Sequence, residues 1–212
     1  RYQNRTDGNG NAPKFTKALV GDDGTYTLLA INKSIPGLTI TAQWAQVVDV
    51  VDLYFGELAY AGKAGSFDYG FAGQYLKNSY DAKNTAGEDA AGYFGLKASM
   101  GISGFNAYLA YSKTEDKRDV TYGLGGGSDI MYTGNVIKGG IYTPDTDAYT
   151  VDANYAIFPN FKVGARYSVT DYNVATKEKE KSIAGYTDYA FEGSLKGLAL
   201  TLQYEAGDND GG

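Results

Sequence analysis

Strict alternation of apolar and polar residues is the feature that most restricts how this 212-residue chain can fold. In residues 67–77 the odd positions are aromatic, glycine or lysine, and the even positions are mostly small or polar. Such period-two patterns indicate strands with one apolar and one polar face. Clear patterns of this kind occupy 67–77, 105–113, 149–157, 161–171 and 198–205. Weaker ones occupy 25–32, 38–48, 51–62, 92–101 and 182–193, so the sequence predicts ten strands.

The connections between these strands fall into two classes that alternate along the chain. The short ones contain turn-forming residues, at 34–37, 62–65, 101–104, 158–160 and 194–197. The long, polar ones are 78–91, 114–147 and 173–181, and the connection at 48–51 is a short exception among them. In an up-and-down meander this order places tight turns at one end and long loops at the other, as in outer-membrane barrels.

The predicted fold class is therefore all-β, an antiparallel up-and-down transmembrane β-barrel. Strands of about ten residues, tilted by about 40°, match the height of the apolar band of such barrels. No stretch approaches 18 consecutive apolar residues, which excludes a transmembrane helix. Aromatic residues cluster near strand ends, where barrels carry their interfacial girdles. These residues are Tyr60, Phe67, Tyr75, Phe105, Tyr111, Tyr149, Phe158, Phe161 and Tyr167.

Composition excludes several classes of function. The chain contains no Cys and no His, so it has no thiolate nucleophile, zinc finger or Ser-His-Asp triad. Outer-membrane proteases and phospholipases depend on a catalytic His, and we therefore predict that the protein is not an enzyme. A formal net charge of −6 argues against a nucleic-acid partner, which requires a basic face.

Strand parity divides the residues into two predicted faces. One face, with Phe71, Leu109, Val163 and Leu200, is expected to contact outer-membrane lipid. The other is expected to line water. Its predicted pore-lining residues are Glu57, Asp68, Gln74, Lys97, Asn106, Asp152, Asn154, Lys162, Arg166, Asp188, Glu192, Gln203 and Glu205. Acidic residues outnumber basic ones in this set, which predicts a modest preference for cations.

Topology and metal binding give two further expectations. The long loops should face the cell exterior, and the periplasmic turns should carry Pro36, Gly65, Ser103, Pro159 and Lys196. Asp145 and Asp147 are weak candidates for Ca²⁺ ligands, because paired carboxylates supply the oxygen atoms that Ca²⁺ prefers. Solvated loop charge is the simpler interpretation of this pair.

Particular stretches resemble the major outer membrane protein porins of Campylobacter and its epsilonproteobacterial relatives. The most specific is the strand–turn–strand segment 29–40, LAINKSIPGLTI, and looser likeness lies in 53–60 and 161–167. The resemblance implies a trimeric porin of about 18 strands for small hydrophilic solutes, narrowed by an inward loop. It also implies that Ca²⁺ can bind in the lumen, although no ligands map onto this sequence, and no other cofactor is expected.

The family is roughly twice as long as this chain, so residues 1–212 are expected to be one β-barrel segment internal to a longer porin. A self-contained ten-stranded barrel is the alternative. The leading hypothesis is an outer-membrane channel for passive diffusion of small hydrophilic solutes and ions. The alternatives are a surface-exposed structural or adhesive outer-membrane β-protein, whose loops bind a host or phage partner, and a soluble barrel that binds a small apolar ligand.

Overall fold

The computed structural model describes residues 24–81, 89–122, 131–137, 143–173 and 179–209. Ten strands run through these residues: β1 Thr25–Asn32, β2 Leu38–Val47, β3 Val51–Ala64, β4 Phe67–Tyr80, β5 Ala90–Ile102, β6 Phe105–Thr114, β7 Thr146–Phe158, β8 Phe161–Tyr172, β9 Glu180–Ala190 and β10 Ala199–Asn209. A short 3₁₀ turn, Gly193–Leu195, lies between the last two strands. No helix in the described residues is long and apolar enough to span a membrane.

The strands form one antiparallel sheet in which every strand pairs with its neighbours in sequence, in the order β1 to β10. This confirms the predicted all-β, up-and-down fold class. The strands correspond one to one with the predicted segments, and several extend further, β4 for example to Tyr80. Backbone pairing does not depend on side-chain polarity, so the ladders continue past the last alternating residue.

Tight turns gather at one end of the sheet, which we call the turn end; the other is the loop end. Ser103 and Gly104, with φ of 48° and 86°, form a two-residue hairpin turn whose positive φ values match the strand twist. Gly37 has a φ of 79°, and a Cβ there would overlap the carbonyl oxygen of Ala61, so this turn requires glycine. The connection at residues 48–50 is also a tight turn, although it lies at the loop end.

The register assigns each side chain to one of two faces. Partners such as Glu57 and Gln74, Gln74 and Gly95, and Gly95 and Ser112 lie side by side on what we call the covered face, because residues 131–137 pack on it. We call the opposite face, which carries large and exposed apolar side chains, the bare face. Phe71 is 61% exposed and Leu109 is 60% exposed.

Aromatic rings form two groups on the bare face, one at each end of the strands. Near the loop end, the ring centroid of Tyr111 lies 5.8 Å from that of Phe94 and 5.0 Å from that of Tyr149. Near the turn end, the rings of Phe161 and Tyr189 lie 6.2 Å apart. Aromatic side chains at two levels flanking an aliphatic band are the arrangement found at the two interfaces of a membrane.

The buried core lies between the covered face and the long β6–β7 connection. Leu53, Phe55 and Leu76 on the strands pack with Val120 and Met131 of that connection. These strand residues lie on the same face as Glu57, which was predicted to line water. Alternation did not predict this cluster, because it shows which residues share a face and not which part of that face another segment covers.

Candidate functional site

Residues 131–137, which we call the crossing segment, lie across the covered face. The hydroxyl oxygens of Thr133 and Ser112 are 2.5 Å apart, and Thr150 Oγ1 donates a hydrogen bond of 3.1 Å to the carbonyl oxygen of Thr133. All three residues are buried. The long β6–β7 connection was predicted as an exterior loop, and in this part it instead folds back onto the sheet.

Tyr132 connects the crossing segment to two charged residues of the sheet. Its hydroxyl donates a hydrogen bond of 2.6 Å to Glu57 Oε2, and the ammonium of Lys97 lies 4.5 Å from its ring centroid. Burial, together with the neighbouring Glu57 carboxylate, raises the pKa of Tyr132. The phenol therefore remains a protonated donor at physiological pH.

The crossing segment reaches the far side of the sheet through its backbone. The carbonyl oxygen of Gly134 accepts a hydrogen bond of 2.8 Å from Nη1 of Arg166, in β8. The N–H of Ile137 donates one of 2.6 Å to Glu205 Oε2, in β10. With the Tyr132 contact on β3, these bonds extend over most of the width of the sheet.

Most charges on the covered face are paired with each other. Arg166 Nε lies 2.9 Å from Asp152 Oδ2, and Lys162 Nζ lies 2.9 Å from Asp188 Oδ2. A third pair joins Lys63 and Asp68 at 3.2 Å, with both side chains well exposed. These three ion pairs neutralise side chains that a simple count of acidic and basic residues treats as unpaired.

A glycine makes room for one of these networks. The Tyr186 hydroxyl donates a hydrogen bond of 2.9 Å to Asp152 Oδ1, and its ring passes directly over Gly164. A Cβ at position 164 would overlap that ring, so a larger residue would displace the phenol.

The register places the predicted pore-lining residues on the covered face, with one exception. These are Glu57, Asp68, Gln74, Lys97, Asn106, Asp152, Asn154, Lys162, Arg166, Asp188, Gln203 and Glu205. The placement of Glu192 in a strand was wrong, because β9 ends at Ala190 and Glu192 precedes the 3₁₀ turn. For the twelve residues on the covered face, the role of lining a pore stays a prediction.

Sequence reasoning missed the tyrosines of the covered face and every residue of the crossing segment. Tyr108 and Tyr186 have the parity of Asn106 and Asp188, so alternation alone contained the signal for them. The crossing segment shows no periodicity, and nothing in its sequence indicates which strands it contacts.

Toward the turn end, beyond the crossing segment, the covered face is open. A cavity of about 590 Å³ there is lined by small and apolar residues together with polar ones, and the polar side chains include Lys63, Asp68, Asn106 and Asn154. The soluble, apolar-ligand barrel considered above would require the large apolar side chains of the bare face to point inward, whereas residues 131–137 pack on the opposite face.

Asp145 and Asp147 do not form a fitting Ca²⁺ site. The Asp147 carboxylate already accepts hydrogen bonds from Tyr111, Lys113 and Asn173. The Asn173 amide also contacts Asp145, at 3.3 Å. Within the ranges described above, no group of three or more acidic side chains is placed to hold a metal ion. Ammonium and amide donors occupy the oxygen atoms that a cation would need.

No protein-family model matches the sequence, and the search of curated proteins gives no significant match. Solved structures do match. OccAB2 of Acinetobacter baumannii superimposes with a TM-score of 0.77 at 19% identity, covering 89% of this chain and 50% of that one. OccAB4 of the same species gives 0.77 at 20% identity, covering 95% and 55%. OccK8 (OprE) of Pseudomonas aeruginosa gives 0.74 at 16% identity, covering 97% and 57%.

The chain has the fold of an outer-membrane porin barrel. It spans about half the length of the solved structures that it matches. These structures come from Acinetobacter and Pseudomonas and therefore support a porin barrel in general. The resemblance to the Campylobacter-type family stays a prediction.

Proposed function

We propose that this chain forms part of a water-filled outer-membrane channel for passive diffusion of small hydrophilic solutes and ions. The observation that carries the proposal is the crossing segment, which lies over the polar face of a sheet whose other face is apolar and exposed. An apolar exterior suits lipid, and a polar interior partly filled by a loop suits a narrowed aqueous pore. We assign the covered face to the lumen.

The direction of the edge strands limits how such a barrel can close. β1 runs toward the turn end and β10 runs away from it, and each pairs on one side only among the described residues. Antiparallel closure between them therefore needs an even number of additional strands. We propose that a longer polypeptide supplies these strands, in line with the expected 18. We also propose that the complete barrel lies in lipid as a homotrimer.

The long loops also bear on the adhesive alternative. That hypothesis needs the largest loop on the cell surface, where it can meet a partner. Residues 131–137 of that loop instead lie against the sheet, which favours the channel.

The facing of the side chains can be tested with spin labels at introduced cysteines, because residues 1–212 contain no Cys. We expect a label at Leu109→Cys in the full-length protein in lipid vesicles to be accessible to oxygen and protected from a water-soluble nickel complex. A label at Asn106→Cys, on the same strand and the other face, is the matched control and should show the reverse. Exchange of the two results would reverse the face assignment.

The orientation of the chain can be tested by proteolysis of intact cells. Trypsin should cleave near Lys179, which belongs to a loop-end connection, and should spare Lys196, which lies at the turn end. Permeabilised cells provide the control in which both sites become accessible. Cleavage at Lys196 alone in intact cells would show that the tight turns face outward.

We also propose a modest cation preference, and the ion pairs change which residues carry it. In the described part of the covered face, the carboxylates of Glu57 and Glu205 have no cationic side chain within 4 Å. The ammonium of Lys97 likewise has no carboxylate within 4 Å among these residues. Two uncompensated acids against one base leave the lumen weakly negative. A narrow pore with low-dielectric surroundings focuses that field on permeating ions.

This preference gives a direct test of channel function. In planar bilayers under a KCl gradient, the full-length protein should conduct with a cation-selective reversal potential at low salt. Changing both Glu57→Gln and Glu205→Gln leaves Lys97 as the uncompensated charge of this count, so the cation preference should be lost and the permeability ratio should shift toward anions by about twofold or more. Lys162→Gln with Asp188→Asn, which removes a neutral pair, should leave it unchanged. Absence of any channel would refute the proposed function, and anion selectivity would refute only the preference.

A further inference from the structure

One guanidinium joins the crossing segment to the sheet. Arg166 donates through Nε to Asp152 Oδ2 at 2.9 Å and through Nη1 to the carbonyl oxygen of Gly134 at 2.8 Å. The first bond is to a neighbouring strand, and the second is to the backbone of the crossing segment. Because Arg presents its donors in a planar fork, these two bonds fix each other's direction.

The partner on the sheet is held rigidly. Asp152 is 2% exposed, and its other oxygen accepts the hydrogen bond from the Tyr186 hydroxyl. The guanidinium carbon also lies 5.6 Å from the ring centroid of Tyr108. Three side chains from three strands therefore fix where Arg166 points, so the carbonyl of Gly134 has one favourable position.

We propose that Arg166 is a positioning residue that holds the crossing segment over the lumen and thereby sets the size limit of the channel. This inference rests on the proposed function. Without the guanidinium, the buried carboxylate of Asp152 and the carbonyl of Gly134 are both acceptors with no donor between them. The part of the crossing segment around Gly134 then moves away from the sheet, although the contacts of Tyr132, Thr133 and Ile137 remain, and the narrow zone that the segment forms widens.

The first experiment uses Arg166→Met and Arg166→Lys in the full-length protein, with Lys162→Met as the matched control. Lys162 lies on the same strand and face and has an equally short ion pair, but no contact with the crossing segment is seen in the described residues. We expect Arg166→Met to raise single-channel conductance about twofold or more and to admit larger neutral sugars in liposome swelling. Arg166→Lys should show a smaller change. Lys162→Met frees the carboxylate of Asp188 and can therefore alter ion conduction, but it should keep the wild-type size limit for neutral sugars.

The second experiment separates loop position from lost charge. Ser112→Cys with Thr133→Cys replaces two hydroxyls that are 2.5 Å apart, and residues 1–212 contain no Cys that could compete for this disulfide. In the Arg166→Met background, oxidation should return conductance and the sugar size limit to wild-type values, and reduction should raise both again. If the disulfide forms and conductance stays high, Arg166 acts through its charge and the proposal is wrong.

A third measurement does not depend on channel activity. A spin label at Ile137→Cys, an exposed position in the crossing segment, should become more mobile in Arg166→Met and not in Lys162→Met. Unchanged mobility would overturn the inference even if the protein conducts. A wild-type protein that forms no channel, with the mobility increase present, would refute the proposed function and the size limit while supporting the positioning contact.

Discussion

Leu109→Arg is expected to destabilise the folded barrel in a lipid bilayer by about 2–4 kcal/mol. Leu109 lies at the middle of β6 on the bare face, where its side chain is 60% exposed. In the proposed orientation this position is near the membrane midplane. A guanidinium there has neither water nor a carboxylate partner, so the folded state loses the hydration that the unfolded chain keeps.

The measurement is a urea titration of the full-length protein folded in phosphatidylcholine vesicles, followed by tryptophan fluorescence. Asn106→Arg is the control, because it places the same side chain on the same strand toward the open part of the covered face. This variant should cost well under about 1 kcal/mol. Equal destabilisation by the two substitutions would contradict the assignment of lipid to the bare face.

Phe55→Ala is expected to cost about 3–5 kcal/mol of unfolding free energy. Phe55, in β3, is buried beneath the β6–β7 connection and belongs to the cluster that includes Leu53 and Met131. Its removal loses the transfer free energy of the ring and leaves a cavity that the surrounding strands cannot close, since the sheet ladders hold them apart.

Phe71→Ala is the matched control for this change, because it truncates the same residue type one strand away on the bare face. Lipid chains can fill that gap, so only the transfer free energy is lost and the cost should be clearly smaller. The same vesicle titration reports both values. A larger cost for Phe71→Ala than for Phe55→Ala would show that the β6–β7 connection does not pack on the sheet.

The strands and their faces could be predicted because both follow from local rules. Alternation fixed the parity of residues such as Phe71 and Gln74, and turn chemistry fixed where hairpins close, as at Gly37 and Gly104. A meander then needs no further information, since each strand pairs with the next. Glu192 was misplaced because its alternation continued past the last paired residue of β9.

The family resemblance implied an inward loop, but the residues of the crossing segment and of the core beneath it could not be predicted, because both depend on contacts between residues distant in sequence. Tyr132 lies 75 positions from Glu57, and nothing in either stretch indicates that they meet. The ion pairs are an intermediate case. Asp152 is the direct cross-strand partner of Arg166 in the β7–β8 hairpin. Aligning the two strands from the turn would therefore have shown that some of the acidic residues counted as free are in ion pairs.

The contacts of residues 131–137 imply an order of folding. Hairpins between sequential strands close small loops and can form early, because little chain entropy is lost. The crossing segment contacts β3 through Tyr132 and β10 through Ile137, so its docking surface exists only after eight successive strands are in register. In the proposed channel, a chain that has paired these strands without docking this segment would have an unobstructed lumen. The zone that this segment narrows in the proposed channel is therefore completed only after the sheet has formed.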